Sequence, residues 1–388
     1  MNDMNSGNET NTIYGLKAAA APTAGVETAV EAIAQAAAAY DGKEGRVPFS
    51  GVVRVTAGGD QASEAAFGFA NRSERLDNTA DTRFGIASGC KIFTAVAICQ
   101  LIEQGKLSFG TKLSDCSIAE FPHFDPNITV HHLLTHSSGV PDYFDEEVMD
   151  DFEELWRERP VYGMTEAEHF LPLFAGQPMK FKPGERFSYN NSGYILLGLI
   201  AEKVSGMKFR EYVEQHVFAP ANMQDSGYFR TDRLPERTAL GYIDGEDGWR
   251  TNIFSLPVVG GPDGGAFTTA EDLDKFWNAL LGYRLLSSEM TEKLLTPQIF
   301  EDEESAYGYG VWIRLNGGKV DCRHIMGFDP GVSMVSRVYA ESGLRLHVLA
   351  NIDGAAWPIA SGIEERLLPE SGKKRSDLPR GESNEAAK

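Results

Sequence analysis

The spacing of apolar positions changes twice along the chain. Val26, Val30 and Ile33 recur at helical intervals in an Ala-rich stretch ending at Gly42, which predicts an opening helix with one buried face. Two short strand-like runs follow at 51–56 and 65–70, with Gly58, Gly59 and Asp60 between them, the composition of a hairpin turn. From about 86 to 300 the period becomes helical, in 91–104, 130–134, 192–204, 209–217, 270–281 and 288–295. Strand texture returns in 309–315, 319–325, 332–339 and 344–352, and a last helix is predicted from about 358 to 368. Strands at both ends around a helical middle predict a mixed α/β (α+β) fold. One antiparallel sheet would be built from 25–85 and 300–368 and flanked by the terminal helices. Residues 86–299 would form a mostly helical lobe, and a cleft between the two is the expected site. Residues 1–24 and 369–388 are polar, lack an apolar period and read as solvated tails.

With 42% hydrophobic and 24% charged residues among 388, the chain has the balance of a globular protein. Its 56 acidic side chains against 36 basic ones leave a net charge of -20, which repels phosphate backbones and argues against nucleic-acid partners. Cys90, Cys99, Cys116 and Cys322 form no Cys-x-x-Cys pair, and the eight histidines show no metal-ligand spacing, so neither a metal nor another cofactor is expected. No apolar run approaches the roughly 20 residues of a membrane span. The first residues carry Asp3 and Glu9 where a secretion signal carries positive charge, so a cytoplasmic location is expected.

Ser-x-x-Lys occurs three times, at Ser88 with Lys91, Ser205 with Lys208 and Ser371 with Lys374. Only Ser88 opens a strongly apolar helix, which would hold its hydroxyl on a rigid element beside the N–H groups of a first turn. Lys91 falls on the same side one turn later. Desolvation penalises an ammonium, so an amine in an apolar cleft can accept the Ser88 proton and activate the nucleophile without histidine. The chain's single Tyr-x-Asn, Tyr189-Asn190-Asn191, lies on a loop leading into a second apolar helix. No Gly-x-Ser-x-Gly elbow and no Gly-rich phosphate loop is present.

Phe84-Gly85-Ile86-Ala87-Ser88-Gly89-Cys90-Lys91 together with 183–198 resembles the serine beta-lactamase and penicillin-binding-protein superfamily, on the branch of class C beta-lactamases, family VIII esterases and D-stereospecific peptidases. The stretches 132–141 and 264–273 agree in order, so the likeness spans about 45–355. The resemblance implies the beta-lactamase/transpeptidase fold, with Ser88 as acyl-enzyme nucleophile, Lys91 as proton acceptor and Tyr189 as partner base or acid. Asn191 would orient Lys91 and the substrate amide. An ammonium beside Tyr189 would lower its pKa from about 10. His136 is expected to fix a loop.

The third element of that family, a Lys or His, then any residue, then Gly, is irregular here. Arg323-His324-Ile325-Met326-Gly327-Phe328-Asp329-Pro330-Gly331 has one residue too many. Either Ile325 holds the cation's place, or a bulge brings His324 into line. With Ile325 there, the cleft lacks a grip on a substrate carboxylate and neutral esters gain, with Met326 and Phe328 as an apolar wall. His324, Gly327 and Ser333 complete the expected substrate-binding set. The backbone N–H of Ser88 and one from the strand near Ser333 would form the oxyanion hole. The expected substrates are small esters, amides or beta-lactams, acted on by a monomer or homodimer. An esterase or D-amino-acid peptidase is favoured over a class-C-like beta-lactamase, and a penicillin-binding or acyl-transferring protein that does not hydrolyse is the rival of another class. The acidic, aromatic segment 142–180 is expected to roof the cleft.

Overall fold

The structure is a computed structural model that describes residues 26–41, 47–57 and 61–368; the tails predicted at 1–24 and 369–388 lie outside the described residues. Helix α1 (Val26–Asp41) buries Ala29, Ala32, Ile33, Ala36 and Ala37 along one face, as its period requires. Strands β1 (Gly51–Ala57) and β2 (Gln61–Phe67) pair antiparallel. The apolar run expected at 65–70 breaks at Gly68, whose φ of 67° turns the chain against Ser50; a Cβ at 68 would stand 2.5 Å from Ser50 Oγ.

A 3₁₀ turn, Ala87–Cys90, runs into helix α2 (Lys91–Glu103), which is apolar on all sides and buried among helices, with Phe93 edge-on to Phe218 and Phe276. Helix α3 (Asn191–Ser205) packs against it, and helix α4 (Ala270–Leu281) is capped by Thr269, whose side chain accepts the Asp272 N–H. The chain then returns to the sheet through β3 (Ile299–Phe300), β4 (Ser305–Tyr307), β5 (Trp312–Asn316), β6 (Lys319–Asp329), β7 (Val332–Tyr339) and β8 (Arg345–Ala350), before helix α5 (Ala356–Leu367). The eight strands form one antiparallel sheet in the order β2-β1-β8-β7-β6-β5-β4-β3.

Both faces of that sheet are covered, so its central strands are nearly continuous apolar runs. Val53, Val335 and Val348 pack under α1 and α5, while their neighbours Val52, Met334 and Leu349 join the helical core. Three details escaped the apolar pattern. The strands β3 and β4 and a hairpin of Tyr242–Gly245 with Gly248–Thr251 are too short to show a period. Among the described residues no helix is long and apolar enough to cross a membrane.

Candidate active site

Ser88 lies in the 3₁₀ turn, directly after Ala87, which holds a left-handed φ of 45°. A non-glycine residue there is strained, and the surroundings hold it: Ile86 N–H donates to Ala266 O (2.9 Å) and Gly265 N–H to Ala87 O (3.2 Å). The glycine run 260–265 passes against the Ser88 backbone; a Cβ at Gly264 would touch Ala87 and the Ser88 nitrogen. Ser88 itself is partly exposed to the cleft, whereas Lys91, one turn on, is 2% exposed.

Lys91 Nζ has three oxygen partners: Ser88 Oγ at 2.9 Å, Asn191 Oδ1 at 2.8 Å and the Asp263 carbonyl at 2.6 Å. It also stands over the Tyr189 ring, 4.9 Å from its centroid, and 5.6 Å from that of Tyr194. The Tyr189 hydroxyl adjoins Ser88. Tyr189, Asn191, Ser88 and Lys91 are thus brought together. The expectation that the ammonium lowers the Tyr189 pKa is corrected: burial, and then the negative charge of Glu146, hold the phenol well above its usual range. A phenol that keeps its proton suits a donor. His136 accepts the Asn190 N–H at Nδ1 (3.0 Å) with its ring 4.4 Å from that of Tyr189, so it fixes this loop, and burial keeps its imidazole neutral.

The pairing of β6 with β7 decides the irregular third element. The register runs from Cys322↔Tyr339 to Asp329↔Val332 without a bulge. A Cβ at Gly327 would meet Ile86 O at 2.2 Å and the Ser88 nitrogen at 2.9 Å, so odd-numbered residues of β6 face the Ser88 turn. Ile325 therefore occupies the place of the cation, 2% exposed and packed into the helical core. His324 is corrected out of the substrate-binding set. It points to the opposite face, stacked on Trp312 and edge-on to Trp357 of α5, with burial pressing its pKa well down. Met326 lies on that face too, while at the end of the strand both Phe328 and Asp329 border the cleft.

Ser333 is corrected as well. Its hydroxyl is fully buried, donating to Ile352 O (2.9 Å) and accepting the N–H groups of Ala355 and Ala356 at the start of α5. Ala340 N–H donates to Asp321 O, which makes the odd residues of β6 the hydrogen-bonded members of the β6–β7 ladder. The N–H of Phe328, opposite Ser333, consequently points to the other edge of β6. Pairing with β5 ends at Trp312↔His324, so from Ile325 to Asp329 that edge is open. The Phe328 N–H therefore points to that open edge, on the strand that runs against the Ser88 turn.

A cavity of about 270 Å³ adjoins Ser88. Phe144, Phe152, Phe170, Leu256, Val259 and Phe267 give it apolar walls, and the first three come from the segment expected as a roof. Glu146, Asp263 and Asp329 are its acidic members, and among the described residues no Lys, Arg or His lines it. Burial raises the Asp329 carboxyl to about 7 against the pull of Lys91, with Asp263 and Glu146 adding to the rise. Cys90 is buried beneath the site, its thiol pushed up to about 12. No group of His, Cys, Asp and Glu among the described residues is arranged to hold a metal ion.

Asp142, Tyr143 and Asp263 were not singled out in the sequence, and Phe328 was read only as an apolar wall. Asp263 and Phe328 present backbone groups to the site, which leave no side-chain signature; the glycines of Gly260-Gly261-Pro262-Asp263-Gly264-Gly265 are the one signal of a closely approached loop that the sequence offers there. The beta-lactamase family profile matches residues 33–362. Penicillin-binding protein 4* of Bacillus subtilis is 30% identical over 320 residues, covering 78% of this chain and 68% of that protein. The chain is similar in structure to a penicillin binding protein from Bacillus halodurans (52% identity, TM-score 0.80, 88% of this chain and 99% of that one). It shares its fold with the D-amino acid amidase of Ochrobactrum anthropi (22% identity, TM-score 0.72, 89% and 99%).

Proposed function

The chain belongs to the beta-lactamase family, and from that premise we propose that it is a serine hydrolase that acylates Ser88 and passes the acyl group to water, with neutral esters or amides as its substrates. One observation carries this reading: Lys91 Nζ is hydrogen-bonded to Ser88 Oγ (2.9 Å) in a cleft whose described lining has no basic side chain. In the acylation step Lys91 takes the Ser88 proton as Oγ attacks the carbonyl carbon. The N–H groups of Ser88 and Phe328 stabilise the oxyanion. Tyr189, beside Ser88 and protonated, hands a proton to the departing alcohol or amine, and Lys91 resupplies it. Water then attacks the ester of Ser88, and the proton returns by the same groups.

The cleft's charge favours this substrate class over carboxylate-bearing ones. Ile325 offers no hydrogen bond to an anion, and Glu146, Asp263 and Asp329 repel it. A beta-lactam, which carries a carboxylate, is on this account the poorer acylating agent. Intact-protein mass spectrometry of wild type and Ser88→Ala mixed with p-nitrophenyl butyrate, a beta-lactam and a D-alanyl ester, with turnover followed in parallel, tests the reading. A Ser88-dependent adduct and faster turnover of the uncharged ester support it. Undiminished turnover in Ser88→Ala would sink it, and an adduct that never turns over would favour a penicillin-binding protein or an acyl transferase.

A further inference from the structure

Lys91 can serve Ser88 only if its other two oxygen partners hold it in place, and both trace to two consecutive residues, Asp142 and Tyr143. Asp142 lies at the N-terminus of α3. Its Oδ2 accepts the backbone N–H of Asn191 (2.8 Å), and its Oδ1 accepts the N–H of Ser192 (3.0 Å) and the Ser192 hydroxyl (3.2 Å). A carboxylate satisfies two first-turn N–H groups there and complements the helix dipole. The same Oδ2 takes the side-chain amide of Asn191 at 3.3 Å, and Phe144 O takes it at 3.4 Å. With its NH₂ so engaged, the Asn191 amide has one orientation, Oδ1 toward Lys91.

Tyr143 secures the other partner. Its N–H donates to Ser192 Oγ (2.9 Å), tying it to the Asp142 cradle, and its buried hydroxyl donates to the Asp263 carboxylate. The Asp263 carbonyl is the acceptor 2.6 Å from Lys91 Nζ, and Thr94 pins the preceding residue, Pro262, to α2 at 2.6 Å.

We propose that Asp142 and Tyr143 are positioning residues that fix the proton acceptor Lys91 through Asn191 and Asp263. The inference rests on the assignment of Ser88 and Lys91 made above. Neither side chain hydrogen-bonds Ser88 or Lys91; Tyr143 lines the cavity, but its hydroxyl is held by Asp263, so removing that hydroxyl alone acts on the rate of the chemical step.

The test uses Asp142→Asn, which puts an NH₂ against the N–H groups of α3, and Tyr143→Phe, which removes only the hydroxyl. Ser88 labelling by a fluorophosphonate is followed by intact mass, and kcat and KM are measured on p-nitrophenyl butyrate per mole of folded protein. Each variant is expected to lose about tenfold or more in labelling rate and kcat with KM within about threefold, since small misplacement of a reacting group is costly. Full rates per folded molecule in both variants, with only the thermal midpoint lowered, would overturn the proposal and leave a purely structural role. Should Asp142→Asn not fold, Tyr143→Phe decides alone. If wild type is not labelled at Ser88, the assignment of Ser88 and Lys91 fails and this inference falls with it; wild-type labelling with unaffected variants overturns the inference alone.

Discussion

Gly327 and Ser88 lie so close that a single methyl group between them has no room: a Cβ at 327 would stand 2.9 Å from the Ser88 nitrogen and 2.2 Å from Ile86 O. Both obstacles are backbone, so side-chain rotation cannot relieve the clash. Gly327→Ala is expected to push β6 off the 3₁₀ turn and separate the two oxyanion donors. Acylation should slow by about a hundredfold, and stability should fall by about 1–3 kcal/mol, the usual consequence of overpacking. Stopped-flow acylation and urea titration read the two effects, and a wild-type acylation rate would refute the oxyanion geometry.

On the proposed mechanism Lys91 and Tyr189 share Ser88 but not a role. Lys91→Ala removes the proton acceptor and should reduce acylation by about 10²–10⁴-fold. Tyr189→Phe keeps the ring under Lys91 and loses only the hydroxyl, so its defect should be smaller and should grow as the leaving group becomes more basic. Rates with a series of aryl and alkyl esters measure this; equal sensitivity to the leaving group in wild type and Tyr189→Phe would remove Tyr189 from the proton path.

Asp329 links substrate choice to pH. Its carboxyl is raised to about 7 by burial, so the folded protein holds a proton that the unfolded chain, near its ordinary value of about 3.9, has lost. The stability tied to that proton is full below the ordinary pKa and is lost as pH rises through 7. Asp329→Asn should therefore raise the thermal midpoint more at pH 8 than at pH 5. Wild-type turnover of an anionic ester relative to a neutral one should fall from pH 6 to pH 8, as Asp329 ionises, and the fall should be shallower in the variant because only Glu146 and Asp263 remain. Parallel pH profiles in the two proteins would dismiss Asp329 as a determinant.

Ser336, His347 and Asp274 stand in the order hydroxyl, imidazole, carboxylate, at 2.8 and 3.4 Å, yet they form no second active site. Ser336 and His347 are fully buried, and the Ser336 hydroxyl also takes the indole N–H of Trp277 (2.8 Å). Asp274 gathers Thr56, Arg54, Arg345 and His347, tying α4 to β1 and β8. Asp274→Ala takes the carboxylate from Arg345, leaves Arg54 with Glu64 alone, and should lose about 3–5 kcal/mol in chemical denaturation. Acylation per folded molecule should stay at the wild-type rate, a result that a catalytic role for this trio would contradict.

The chain's local patterns carried the fold class and the centre of the site. The change of apolar period marked the sheet pieces at either end of a helical middle, because burial against two faces imposes that spacing on each element by itself. Ser88 and Lys91 were legible for the same reason: they sit one turn apart, and their approach needs no distant residue. Tertiary structure decided what depends on register and burial. A one-residue slip of β6 exchanges its faces, so whether His324 or Ile325 lies on the Ser88 side of the sheet follows from pairing with β7, not from the order of residues alone. Phe328 and Asp263 contribute backbone groups that any residue type could supply, and their roles appear only where β6 and the 260–265 loop come to rest. The protonation of Tyr189 likewise belongs to the fold, because desolvation by surrounding chain outweighs the attraction of an ammonium that sequence alone could anticipate.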